Sequence, residues 1–481
     1  MTNPGPGGQW PPQQGAPQQG GYYPPPGPQY GAPQQYPAGP PQQPYPQPGY
    51  YQQQPPPGLG VAPPQPPQPP KKSRRGLVVA LVAALVLALG GGATWFALSQ
   101  GDSVAAGAET PGEAAMNLAT SLGNGDIVGL LTTLAPAEAA VLTDPVAETT
   151  DELKRLGILD QDADPQALTG IEISTENLTF DDAQAEQVND HLTITKLTGG
   201  KLTVNTDFSK VPVAEDFLDA ALSEGEQREL EQAPQTETID IGEKVRETGE
   251  PVRIATVKVG DEWYPSLLYT IADYALQDAG EPWPQQAIPA NGAGSPGEAV
   301  QQTVQAALDG DINRVIELLP PDEMGVLHDA GPVIVAAAGG AAGPTGVEIT
   351  KLETETSDVT GGTRATLTAL ELQKDGGAST FALTRDGDCY RMTVDGRSDE
   401  LCADQLGAMI QSESDTTLPP EAQQALQSLG TGVMEQGLGV VTTEVDGKHY
   451  VSPLRTFNEL GMTVLRSLER EDIEGLLRAA R

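Results

Sequence analysis

TPGEAAMNLATSLGNGDIVGLLTTLAPAEAAVLTD, residues 110–144, decides the fold, because it returns as SPGEAVQQTVQAALDGDINRVIELLPPDEMGVLHD at 295–329. The two stretches align without a gap, and 13 of 35 positions are identical, among them Glu138/Glu323 and Asp144/Asp329. Self-similarity at a fixed offset is the mark of a duplicated unit. The shared positions have local physical roles. Thr110 and Ser295 read as N-caps, Pro111 and Pro296 sit at the first helical position, and Glu113 and Glu298 close a capping box. Ala115, Leu118, Ala119 and Leu122 then share one helix face. Asp126 caps a second helix with Ile127, Leu130, Leu131 and Leu134 at helical spacing; Asp311, Ile312, Val315, Ile316 and Leu319 repeat it. These are core and cap positions, not evidence of a site.

The relation extends outward. GIEI at 170–173 matches GVEI at 346–349, and VGDEWYPSLLYT at 259–270 matches VDGKHYVSPLRT at 445–456. Two modules follow, 110–280 and 295–481, with a Pro/Gly/Ala-rich linker at 281–294. After the helices the period becomes strand-like. HLTITKL (191–197) and KLTVNTD (201–207) flank Gly199-Gly200, which predicts a hairpin. TRATLTALEL (363–372) and STFALTR (379–385) flank a Gly-rich turn in the second module. A helical insertion is expected near 214–222 and near 399–411. Each module closes with a strand pair and a helix: VRIATVKV and WYPSLLYTIADYAL, then LGVVTTEV and HYVSPLRTFNELGMTVL. Helices followed by an antiparallel sheet predict an α+β fold for both. MTVLRSLEREDIEGLL (462–477) echoes MNLATSLGNGDIVGLL (116–131), which leaves a truncated third copy open.

The PGEA…GDI…LL opening and the GDEWY or DGKHY strand resemble the cystatin-like, NTF2-like fold of bacterial envelope proteins. That resemblance implies a sheet-lined pocket that can host Asp-based acid/base chemistry. The wider pattern resembles actinobacterial single-pass membrane proteins with a Pro/Gln/Tyr-rich tail, and carries architecture without activity.

Upstream, GLVVALVAALVLALGGGATWFAL (76–98) has no charge in 23 residues. At about 1.5 Å per residue it is long enough for a ~30 Å hydrocarbon layer. Lys71, Lys72, Arg74 and Arg75 precede it; Asp102, Glu109 and Glu113 follow it after a short linker (99–109). The positive-inside rule then sets the N-terminus in the cytoplasm and the C-terminal region outside the cell membrane. Its length and the long preceding segment argue against a cleaved signal peptide. Residues 1–70 hold 25 of the 44 prolines and 7 of the 12 tyrosines, with Gln and Gly between them. The 1–75 tail is therefore expected to be disordered, a spacer or a docking site for a cytoplasmic partner.

All 66 acidic residues lie beyond residue 101, with only 23 of the 27 basic ones. Such a field repels nucleic acid, anionic lipid and anionic wall polymers. Cys389 and Cys402 are the only cysteines. On the outer face, without a histidine nearby, they predict a structural disulfide between the strand around Tyr390 and a helix near Leu401. His191, His328 and His449 share no ligand spacing, and His449 takes the place of Trp263 as a packing residue. G-x-S-x-G, S-x-x-K, H-E-x-x-H and the P-loop are absent from the sequence. Asp160, Asp162 and Asp164 open like a calcium loop, but Pro165 and Ile171 occupy its glycine and glutamate positions. No catalytic, cofactor or metal residue is nominated. Trp263 and Tyr264 are the candidate walls of a small-ligand pocket, with core packing as the plainer role. The reading is a non-catalytic, membrane-anchored envelope protein whose outer modules bind a protein, a wall component or a small ligand. The alternative is an envelope hydrolase or isomerase with a carboxylate acid/base. A sensor or tether linking wall and cytoplasm is a third idea, and oligomeric state is open.

Overall fold

The computed structural model describes residues 106–480, apart from 124–126, 164–169, 231–234, 340–342, 404 and 406–418. The tail, the 76–98 segment, Asp126 and Asp164 lie outside the described residues. Among the described residues, no helix is long and apolar enough to cross a membrane.

In the first module α1 (Pro111–Gly123), α2 (Ile127–Thr133), α3 (Pro136–Thr143) and α4 (Val146–Arg155) precede the sheet. Then come β1 (Ile171–Phe180), β2 (Glu186–Gln187), β3 (Leu192–Thr206), α5 (Glu215–Ala221), α6 (Glu224–Leu230), β4 (Gln235–Asp240) and α7 (Ile241–Thr248). β5 (Val252–Val259), β6 (Glu262–Ser266) and α8 (Leu267–Ala279) close it. The second module opens with α9 (Pro296–Asp309), α10 (Ile312–Glu317) and α11 (Gly325–Ala338). Its strands β7 (Val347–Val359), β8 (Gly362–Lys374), β9 (Ser379–Asp386), β10 (Cys389–Val394) and β11 (Arg397–Cys402) follow. α12 (Pro420–Gln436), β12 (Gly439–Val445), β13 (Lys448–Val451), α13 (Pro453–Ser467) and α14 (Arg470–Ala480) complete the chain. Both modules are α+β with antiparallel sheets.

The duplication is visible in the topology. One sheet runs β1-β3-β5-β6 and the other contains β7-β8-β12-β13. In each, the long second strand divides one edge between two partners. β3 pairs with β5 at 192–197 and with β4 at 201–206. β8 pairs with β12 at 363–366 and with β9 at 369–374. The residue ahead of each first helix joins the last strand, Ala108 to Trp263 and Ala293 to His449. The caps form as their chemistry dictates. Thr110 and Ser295 accept the N–H of Glu113 and Glu298. Glu298 reaches back to the Gly294 N–H, one residue before the cap. Asp311 caps α10 through the Arg314 N–H.

Three expectations are corrected. No hairpin turns at Gly199-Gly200; β3 runs through both glycines for 15 residues. Opposite them β1 bulges, with Asn177 at φ 49° and the register shifting between Glu176 and Thr179. Gly200 has φ 109°, and a Cβ there would lie 2.7 Å from the Leu178 Cα. The glycines make room for a bulge rather than a turn. Second, the helix expected from 399 is strand β11 up to Cys402, returning from β10 through a two-residue Asp395-Gly396 loop. That dipeptide is a strong hairpin signal. Third, the disulfide between Cys389 and Cys402 therefore ties neighbouring strands, their Cα atoms 4.0 Å apart, and not a strand to a helix. Residues 462–477 are the end of α13 and most of α14, joined at Leu468-Glu469.

Candidate functional site

Each module anchors its closing helix with a buried glutamate from the repeated opening. Glu138 accepts hydrogen bonds from Ser266 Oγ (2.8 Å) and from the N–H groups of Leu267 (2.8 Å) and Leu268 (3.0 Å) at the start of α8. Burial pushes its carboxyl above the ordinary range, against the pull of those donors. In the second module Glu323 accepts from Ser452 Oγ and from Arg455 Nε at the start of α13. A carboxylate at a helix N-terminus satisfies orphan N–H groups and favours the dipole.

The same helices carry a reciprocal seam between the modules. Tyr269, on α8, donates to Asp329 of the second module at 2.9 Å. Arg455, its counterpart on α13, donates to Asp144 of the first module at 2.8 Å. Asp144 and Asp329 are themselves the last identical pair of the repeat. An arrangement in which i meets j while j's counterpart meets i's is that of a two-fold interface. The cores are shared accordingly. Val326 and Ala330 join Leu192, Ile194, Tyr269 and Leu276, while Met462, Leu465 and Ile473 join Leu153, Leu156 and Phe217. His191 adds a contact to Asp329 at 2.7 Å, and that hydrogen bond raises its pKa.

One element breaks the symmetry. The linker's Trp283 folds back into the first module, 8% exposed. It stacks on Tyr269 with ring centroids 5.9 Å apart and donates Nε1–H to Asp273 at 2.9 Å. Burial opposes the charge on Asp273, but hydrogen bonds from Arg253 and Trp283 outweigh it and hold the carboxyl below its usual range. In the second module the chain after α13 becomes α14, which packs on α12 and α5. Among the described residues no tryptophan takes the equivalent place, and a cavity of about 490 Å³ opens there. Glu148, Ser357, Asp358, Val359, Thr360, Arg364, Thr366, Gln436, Glu459 and Arg466 line it.

Its residues correspond to those around Trp283. By pairing to the matched strands β5 and β12, Arg364 stands where Ile194 does. Glu459 stands where Asp273 does, and Glu148 where Val333 does. The salt bridge from sheet to helix survives with its cation moved. In the first module Arg253 of β5 pairs with Asp273. In the second, that position is Gly439, and Arg364 of β8 pairs with Glu459 at 2.7 Å. A Cβ at Gly439 would lie 2.8 Å from the Arg364 Nε, so the exchange needs the glycine. Arg364 is 7% exposed and also donates to the Gly437 carbonyl at 2.8 Å. Its Nε has no partner among the described residues. Arg466 bridges Glu459 (3.1 Å) and Glu148 across the seam.

The residues nominated from sequence lie elsewhere. Trp263 and Tyr264 line a smaller cavity of about 200 Å³ with Gly107, Asn117 and Thr133. Tyr264 is buried and donates to Glu262 at 2.7 Å. In the second module the equivalent space holds the Arg314 side chain, bonded to the Asn291 carbonyl and to Gln302; the first module has Gly129 at that position. The two copies are thus open at different places. Asp160 and Asp162 gather no further ligands, and no cluster able to hold a metal ion occurs among the described residues. Sequence reasoning missed the seam cavity because its lining joins residues from both modules. The signals present were the unmatched tryptophan in the linker and a charged Arg364 inside the strand TRATLTALEL. No protein-family model, curated protein or solved structure matches the chain.

Proposed function

We propose that the chain is a non-catalytic binding protein of the cell envelope, held by the 76–98 segment with its tail inside and its paired NTF2-like modules outside. The observation that carries the binding reading is the seam cavity, open in the second module where Trp283 fills the first. Its size lies within the ~300–1,000 Å³ of small-ligand sites. The buried carboxylates Glu138, Glu323 and Asp273 are occupied by helix caps and ion pairs, which favours binding over acid/base work. A photo-cross-linking residue at Ser357, in cells making the full chain tagged at both ends, tests it. Adducts form, and Thr360→Trp, which plugs the cavity, removes them. Protease added outside strips the C-terminal tag and spares the N-terminal one. Absence of adducts, or a protected C-terminal tag, overturns the proposal.

One observation favours the second reading, an enzyme with a carboxylate acid/base. Asp329 is 6% exposed and contacts both His191 and Tyr269. None of the three lines the cavities described above. Turnover of any envelope substrate that Asp329→Asn abolishes without unfolding would establish that reading instead.

A further inference from the structure

We propose that the seam cavity takes a neutral, hydroxyl-rich ligand, a mono- or disaccharide. The inference rests on the binding reading above and names the ligand class. Among the lining residues only Val359 is apolar. A hydrocarbon or aromatic ligand would strip water from the guanidinium and carboxylate groups and return no hydrogen bonds. The first module shows the contrast: an indole fills a space walled by Leu192, Ile194 and Tyr269.

Charge narrows the class further. Arg364 and Arg466 are already paired with Glu459 and Glu148, so an ion would have to break a pair to gain a partner. Asp358 adds a third carboxylate at the rim, and the carboxylate excess turns away uronates and sugar phosphates. A neutral polyol needs no such exchange. Each hydroxyl both donates and accepts, a carboxylate accepts about four hydrogen bonds, and a guanidinium donates five. Ion pairs that fix these planar groups in advance present both functions without reorganising, the condition for affinity in a polar site.

The test uses the full-length protein in detergent and ligand-observed NMR with neutral monosaccharides and disaccharides, uronic acids, sugar phosphates and indole. Neutral sugars show saturation transfer, with affinities at least about tenfold tighter than the matching uronates. Thr360→Trp and, separately, Ser357→Trp abolish the transfer while the thermal midpoint stays within error. Two variants guard against one that fails to fold. If indole or the uronates bind best and the tryptophan variants block them, the ligand class is wrong and the binding reading stands. If no probe binds and the Ser357 cross-link also yields nothing, both fall. If a sugar is cleaved, the non-catalytic reading falls and the ligand class survives.

Discussion

His191 reaches across the seam with its side chain 45% exposed and meets the buried Asp329. Its pKa is raised, first by that hydrogen bond, above the ordinary 6.5. A histidine with a raised folded-state value contributes stability that is fully present below its unfolded value and is lost as pH rises through the folded one. The chain is therefore expected to lose part of its thermal stability as pH climbs past 6.5. His191→Asn removes this component, so the difference between the two melting curves shrinks above neutrality. A pH-independent difference would count against the seam contact. Glu138 has the opposite character, a cap with no exposed face. Glu138→Ala leaves the Leu267 and Leu268 N–H groups and the Ser266 hydroxyl without their acceptor. The expected loss is on the order of 3 kcal/mol in urea unfolding, with Glu138→Gln nearer wild type because its amide oxygen still accepts. At this scale legibility follows distance along the chain. Ser295 and Asp311 cap neighbours three residues on, and the sequence pattern is enough to find them. Glu138 meets Ser266 across 128 residues and His191 meets Asp329 across 138, and no local pattern encodes such partners.

Helices and strands separate into those whose signal is internal and those set by a neighbour. The closing units β5-β6-α8 and β12-β13-α13 stand where alternation and helical periodicity predict them. β3 does not break at its glycines, because the bulge in β1 that they serve belongs to another strand. The 281–294 segment looks like a spacer by composition, yet Trp283 and Ile288 are buried and Ala293 joins β13. Trp283→Ala is expected to cost roughly 3–5 kcal/mol, the usual range for truncating a buried tryptophan. The same change opens in the first module a cavity matching that of the second. Urea unfolding and the uptake of indole, followed by fluorescence quenching or NMR, check both consequences. A loss under about 1 kcal/mol would mean the indole is only lightly seated.

The described residues form a pair of related halves that share two cores across the seam. Such an interface does not need its linker for affinity once formed. Gln285 and Gln286 are exposed, so a protease site inserted between them can be cut in the folded protein. The nicked halves are expected to co-elute in size-exclusion chromatography, while each half made alone exposes Val326 and Ala330, or Leu153 and Phe217, and aggregates or remains unfolded. Separation of the nicked halves under native conditions would show the seam to be weak. Alignment of the chain with itself announced the duplication, and composition the surplus of carboxylates, but neither showed that the copies face each other, since a repeat specifies the parts and not their mutual docking.

Covalent fusion has a consequence that no symmetric homodimer shares. In a homodimer every substitution falls on both faces at once, so a cavity cannot be sealed on one side and kept on the other. Here Trp283 can occupy one half because it is encoded once, and Arg314 can occupy the other for the same reason. Each half has been left free to surrender one opening and keep the other, which gives a two-fold scaffold two unlike mouths.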